Sequence, residues 1–234
     1  MKHLIRSSPS ALLTVFILTA CGGGGDAPAD LGGSALLVDA AGVSTFDSTA
    51  LTTTLTALPI ETLSAAEKET LAFMREEEKL AHDIYTELAL RWSANTRVFD
   101  NIARSESTHT EAIRQLLLRY ALPDPVASLG AGVYQNDTLQ ALHKQLLASG
   151  MLSLVDALKV GAAIEEIDMI DINKALQTID NQDIVLVYEN LLKGSRNHLR
   201  SFVNTLANQG VTYVPQYMAT ADYQAIVSAP IEPG

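Results

Sequence analysis

Residues 99–118, FDNIARSESTHTEAIRQLLL, set a Glu-x-x-His pair inside an apolar helical repeat. Phe99, Ile102, Ala103, Ile113, Leu116 and Leu117 recur at three- and four-residue spacing, the period of a helix with one buried face. Glu106 and His109 fall in the same series, so both are expected to point inward. A buried charge without a partner costs on the order of several kcal/mol. Such groups are therefore paired, neutralised or bound to metal. Two readings of this stretch stay open: a Glu–His hydrogen bond in a helical core, or a metal site shared with other helices.

The rest of the chain repeats the pattern. Ser64 and Glu67 are spaced as a capping box, which predicts a helix over residues 65–92. Its apolar face carries Phe73, Met74, Leu80, Ala81, Ile84, Tyr85 and Leu88, and the run Glu76-Glu77-Glu78 cuts across it. At roughly 100° per residue, Glu77 falls near the centre of that face, Glu78 at its edge and Glu76 outside it, as a solvated charge. Asn95 or Thr96 is placed to cap a second helix ending near Tyr120, before Pro123 and Pro125. A long loop and a short helix over about 138–148 follow, with His143 a surface or packing residue. A third long helix is expected from Leu152, broken and restarted at Asp171. Its stripe holds Leu158, Gly161, Ala162 and Met169 with Glu165 in the middle, Asp168 to one side and Glu166 pointing away. The small pair Gly161 and Ala162 leaves room for another helix or an ion. A fourth helix over 184–208 faces inward with Tyr188, Leu191, Ser195, His198 and Phe202. A last helical turn is expected at 222–227. The fold class is therefore all-α, which a 47% apolar, 6% aromatic chain suits.

Four helices each place a metal-ligand type of side chain mid-stripe, and one shared centre satisfies them together. The single cysteine, Cys21, excludes a thiolate site and an intrachain disulfide framework. A metal here must use carboxylates and imidazoles, a set suited to iron, manganese or zinc. The net charge of −11, with no basic stripe, argues against nucleic acid as a partner.

The N-terminus reads as an export signal over residues 1–20. Lys2 and Arg6 precede the apolar run ALLTVFILTA, which is too short to span a bilayer. Leu18-Thr19-Ala20-Cys21 resembles the lipobox of bacterial lipoproteins. That resemblance implies cleavage before Cys21, lipid attachment to it, and a membrane-anchored domain at the cell envelope. Gly22 after the cysteine, rather than Asp, favours the periplasmic face of the outer membrane. Residues 21–60, opening on Gly22–Gly25 and rich in Ala, Gly, Ser and Thr, read as a flexible tether that can hold short ordered pieces, with Val38 and Phe46 as docking points. Residues 61–228 form the helical domain.

The helical domain resembles the ferritin-like superfamily of di-iron carboxylate proteins and its rubrerythrin-type members. That resemblance implies a four-helix bundle, here with an extra short helix between the second and third long ones. Glu78, followed by Ala81 and Tyr85, is similar to the first-helix ligand; Glu106 and His109 match the second-helix motif, Glu165 the third-helix ligand, and Asp168 an extra acid one turn on. On the fourth helix His198 matches, but Ser195 stands where the family has a Glu. The implied metal set is Glu78, Glu106, His109, Glu165 and His198, with Glu77 and Asp168 as further candidates. The stretches MREEEKLAHDIY, IARSESTHTEAIRQLL, ALKVGAAIEEIDMIDI, LLKGSRNHLRSF and VTYVPQYM also resemble a bacterial family named only as domain of unknown function 2202.

Two functions are expected from this reading. One is an envelope lipoprotein binding one or two iron ions and acting as an oxidoreductase on dioxygen or peroxide, with Tyr85 or Tyr188 near the centre and an external electron donor. The other is a non-enzymatic sensing or interaction protein whose inward polar groups form a buried network. Homodimerisation through a helix face is open to both.

Overall fold

A computed structural model describes residues 35–234; the expected signal segment and Cys21 lie outside the described residues. The described chain is helical apart from one two-stranded hairpin. Strands β1 (Leu36–Val38) and β2 (Ser44–Phe46) are followed by α1 (Ser48–Ala57), α2 (Ala65–Trp92) and α3 (Val98–Arg119). Then come α4 (Asp137–Gly150), α5 (Leu154–Leu176), α6 (Gln182–Asn208) and α7 (Thr220–Ser228).

Four long helices, α2, α3, α5 and α6, surround one interior. Helix α2 packs on α3, α5 on α6, and the two pairs meet through α3–α6 and α2–α5 contacts. Their apolar residues fall into two clusters. One gathers Tyr85, Leu88, Phe99, Ile102, Leu158 and Phe202; the other gathers Leu71, Met74, Ile113, Leu116, Ile172 and Leu191. Each long helix contributes to both clusters. Following residue order between them, α2 and α6 run one way and α3 and α5 the other. Each packed pair is thus antiparallel. Because α3 and α5 are parallel, the chain must cross the length of the molecule between them, which residues 120–153 and α4 accomplish. Helix α4 lies against α2 and α5.

Local chemistry fixes the helix ends. Glu67 N–H donates to Ser64 Oγ at 3.2 Å and Ser64 N–H to Glu67 Oε2 at 2.8 Å, so the expected capping box starts α2. Asn136 accepts from Thr138 and Leu139 to start α4. Helix α3 starts at Val98, whose N–H donates to Thr96 Oγ1. Gly210 adopts φ +73° just beyond α6, a conformation glycine reaches without strain.

Two expectations are corrected. The tether expected over 21–60 contains folded structure: Leu36 and Leu51 are fully buried. Helix α1 forms in a threonine-rich stretch because Asp47 caps it through Thr49 and Ala50 N–H. Thr52, Thr53, Thr54 and Thr56 also return their hydroxyls to the carbonyls four residues back. Helix α5 runs unbroken through Asp171, since Asp171 meets Glu77 of α2 across the helix interface instead of capping a new turn. The room expected beside Gly161 is taken by another helix: the Phe202 ring of α6 fills it, and an added Cβ would strike that ring.

Candidate metal centre

Between the two apolar clusters lies a polar layer, built from the middle turn of each long helix. From α2 come Glu77 and Glu78, from α3 Glu106 and His109, from α5 Glu165 and Asp168, and from α6 Ser195 and His198. All are buried. The heptad-like spacing that buries Ile102 and Ile113 on α3 carries Glu106 and His109 to the same depth.

Glu106 is central. Its Oε2 lies 3.0 Å from His109 Nδ1 and its Oε1 lies 2.8 Å from His198 Nδ1. Glu78 Oε2 is 3.6 Å from His109 Nδ1, and Glu165 Oε2 is 3.5 Å from His198 Nδ1. The two imidazoles stack with centroids 5.3 Å apart. The ligand atoms of Glu106, His109 and His198 lie within 4.8 Å of one another. Glu106, His109 and His198 thus form one tight group, with Glu78 flanking His109 and Glu165 flanking His198. The two further candidates are set to the side. Asp168 accepts a hydrogen bond from Ser195 Oγ. Glu77 faces Asp171 and not the imidazoles. Helix α2 touches α3 on one flank and α5 on the other, so consecutive glutamates serve different neighbours.

The layer carries more negative than positive groups. Glu77, Glu78, Glu106, Glu165 and Asp168 face only two imidazoles. The cations flanking the glutamates are engaged elsewhere, Arg75 with Asp124 and Lys79 with Asp83. Burial works against the Glu106 charge, but His109 and His198 hold this carboxyl well below the usual range. Burial would depress His109, yet Glu106 and then Glu78 raise it to about 10. Burial likewise opposes His198, which Glu165 and Glu106 raise to about 9. Burial pushes Glu78 up to about 8. Glu165 is also raised by burial, and Asp168 and Glu77 far more, by burial and by neighbouring carboxylates.

Several atoms in the layer have no hydrogen-bond partner: both Glu77 oxygens, Glu78 Oε1, Asp168 Oδ1 and His198 Nδ1. His198 Nδ1 is near enough to Glu106 for an ion pair but out of line for a hydrogen bond. Orphaned buried polar atoms are rare in folded proteins and call for an explanation. The Glu106, His109 and His198 ligand atoms, close together and buried, are a donor set that fits a divalent cation.

Tyr85 donates to Glu165 Oε1 at 2.6 Å and approaches the Gly161 carbonyl at 3.1 Å. Tyr188 is turned to Thr70 Oγ1, 3.3 Å away. His143 is a buried packing residue against Tyr134.

Two glutamates expected to be peripheral are buried. Glu76 is no solvated charge: its Oε2 accepts from Gln135 and Asn136 N–H at 2.6 and 3.1 Å. Glu166 accepts from Tyr213 OH and from the N–H groups of Gln216, Tyr217 and Met218. The helix periodicity placed them off the main stripe correctly. What it could not register was a loop folding back to cover them. Ser44 and Ser105, which meet the outer nitrogens of the imidazoles, were also missed, and no sequence pattern marks them.

Residues 67–230 match the model of a family described as an uncharacterised protein domain, DUF2202. The uncharacterised protein MJ0754 of Methanocaldococcus jannaschii is 48% identical over 180 residues, covering 77% of this chain and 96% of that protein. The crystal structure of hypothetical protein MJ0754 from Methanococcus jannaschii matches with a TM-score of 0.73 and 48% identity. It covers 75% of this chain and 99% of that chain.

Proposed function

The chain belongs to the DUF2202 family, and from that premise we propose that its polar layer is a metal centre in a ferritin-like four-helix bundle. The observation that carries this reading is the buried cluster of Glu106, His109 and His198, whose ligand atoms lie within 4.8 Å of one another, beside the partnerless Glu78 Oε1 and His198 Nδ1. The antiparallel arrangement with one long crossover supports the bundle assignment. Glu78, Glu106 and Glu165 would hold the ion or ions through oxygen, and His109 and His198 through Nδ1. Asp168 would lend the carboxylate that α6, with Ser195, lacks. One or two iron ions there would supply redox chemistry toward dioxygen or peroxide, with manganese or zinc as alternatives. The protein's share is to keep bulk water out and to hold a proton on Tyr85 against Glu165. Attachment at Cys21 would place this domain at the cell envelope, facing the periplasm, with electrons drawn from an external donor. The hydrogen bond from Ser195 to Asp168 favours the second reading, a buried polar network in an interaction protein.

Elemental analysis of the chain, purified without added metal or chelator, separates the two. About two irons per chain with a peroxide-sensitive absorption band supports the oxidoreductase. One zinc or iron supports a single-ion site. No metal, and none acquired on titration, leaves the polar network.

Proton release gives an independent check. His109, His198 and Glu78 titrate at about 10, 9 and 8 in the folded chain, so at pH 7 each holds a proton that a cation must displace. Adding zinc in weak buffer is expected to acidify the solution, and affinity to rise with pH through 8 to 10. All three values lie above those of the free groups. The metal-free fold is therefore expected to lose stability as pH rises from the free-group values of 4.5 and 6.5 and to level off once pH has passed about 10. Zinc uptake without acidification would contradict this protonation pattern.

A further inference from the structure

The two imidazoles turn their Nε2 atoms away from the glutamates and toward one hydroxyl. Ser44 Oγ lies 3.1 Å from His109 Nε2 and 3.0 Å from His198 Nε2. It belongs to β2, some sixty residues before the first of those histidines and outside the span, 67–230, that matches the family. We infer that Ser44 is a positioning residue for the metal centre, fixing His109 and His198 in the tautomer that offers Nδ1 to an ion.

One arrangement of the hydrogens satisfies every contact at once. Ser105 Oγ donates to the Ser44 carbonyl, so its only proton is committed. Ser44 Oγ then donates to Ser105 Oγ, 3.1 Å away, and its lone pairs accept from both Nε2–H groups. Ser105 Oγ also accepts from His198 Nε2 at 2.8 Å. With Nε2 protonated on both rings, a neutral imidazole has its lone pair on Nδ1, among Glu78, Glu106 and Glu165. Hydrogen bonding of the outer nitrogen commonly sets ring orientation and basicity in metal sites.

The structure keeps this hydroxyl in place by several means. Asp39 Oδ1 accepts from Ala41 and Val43 N–H, and Gly42 turns the hairpin at φ +80°. Strand pairing sets Val38 opposite Ser44 and Leu36 opposite Phe46. The two-residue alternation of a strand then buries Ser44 and Phe46 together, with Phe46 edge-on to His109 at 5.7 Å. Gly194 on α6 leaves the space: a Cβ there would lie 2.6 Å from Ser44 Oγ and 2.7 Å from His109 Cε1.

The inference rests on the metal-centre reading, and the test separates them. Zinc dissociation constants are measured by chelator competition for the full chain, for Ser44→Ala, and for Thr45→Ala on the other face of the strand. Ser44→Ala is expected to bind roughly 10- to 100-fold more weakly, with Thr45→Ala unchanged. Equal affinity for Ser44→Ala and the unmodified chain would overturn the role of Ser44 and leave the metal centre standing. Absence of zinc binding by the unmodified chain would overturn both. A second readout needs no variant. In the cobalt-loaded chain, both Nε2–H protons should appear as strongly shifted, slowly exchanging NMR signals; their absence overturns the assignment.

Discussion

Glu106→Ala is expected to lower metal content to a tenth or less and to destabilise the metal-free chain by on the order of 3–5 kcal/mol. Glu106 is the carboxylate that faces both Nδ1 atoms, at 3.0 and 2.8 Å. Its removal leaves two imidazoles without their common counter-charge in a buried layer, and stripping one partner from a buried ion pair costs about that much. Glu78 and Glu165, at 3.6 and 3.5 Å from one imidazole each, are too far to replace it. Glu106→Gln keeps the shape but not the charge, so it should recover part of the stability and little of the metal. Urea unfolding and elemental analysis read the two effects separately. A Glu106→Ala chain with full metal content would remove Glu106 from the site.

Glu166→Ala is expected to cost on the order of 4 kcal/mol while leaving metal content unchanged. One buried carboxylate holds Tyr213 OH at 2.7 Å and the backbone N–H groups of Gln216, Tyr217 and Met218 at 2.9, 2.6 and 2.9 Å. A hydrogen bond to a charged group contributes roughly 1.5–3 kcal/mol, and shared partners make the sum smaller than four independent bonds. Without the acceptor, three backbone donors are stranded and the segment linking α6 to α7 comes away. Limited proteolysis should then cut between residues 211 and 219 before any helix unfolds. Because Glu165 and Glu166 are adjacent on α5 but about 100° apart around it, with separate partners, the proposed metal centre should not follow. Loss of metal in Glu166→Ala would mean that the C-terminal segment and the polar layer are coupled.

These two glutamates also show where sequence reading reaches its limit. Glu106 was legible because its position in the 99, 102, 106, 109, 113, 116 series is local, and helix periodicity is a local property. The same reasoning placed His109, Glu165 and His198 and the start and end of α2. The wheel set Glu77 nearer the centre than Glu78. Because α2 is flanked by both α3 and α5, Glu78 meets His109 while Glu77 meets Asp171. Glu76 was misjudged as solvated, and the partners of Glu166 were out of reach, because loops distant in sequence supply them. Ser44 was hidden in a three-residue strand inside a stretch whose composition reads as tether. Nothing local distinguishes it, and its partners lie 65 and 154 residues away.

The layer between the two apolar clusters has a consequence for assembly. Each long helix carries one polar notch at mid-length and apolar residues on both sides of it. Sliding any helix by one turn, about 5.4 Å, would push a carboxylate or imidazole into a leucine-lined zone and pull a leucine into the notch. The four notches therefore act as an alignment key that rejects neighbouring registers, a use of buried polar groups attested in helical assemblies. An all-apolar version of the layer is expected to melt at higher temperature but to show broadened, poorly dispersed NMR spectra, because several registers would then compete; a single sharp set of signals would show that the key is dispensable. On this view the buried carboxylates and imidazoles of the layer serve first as a ruler, setting helix against helix.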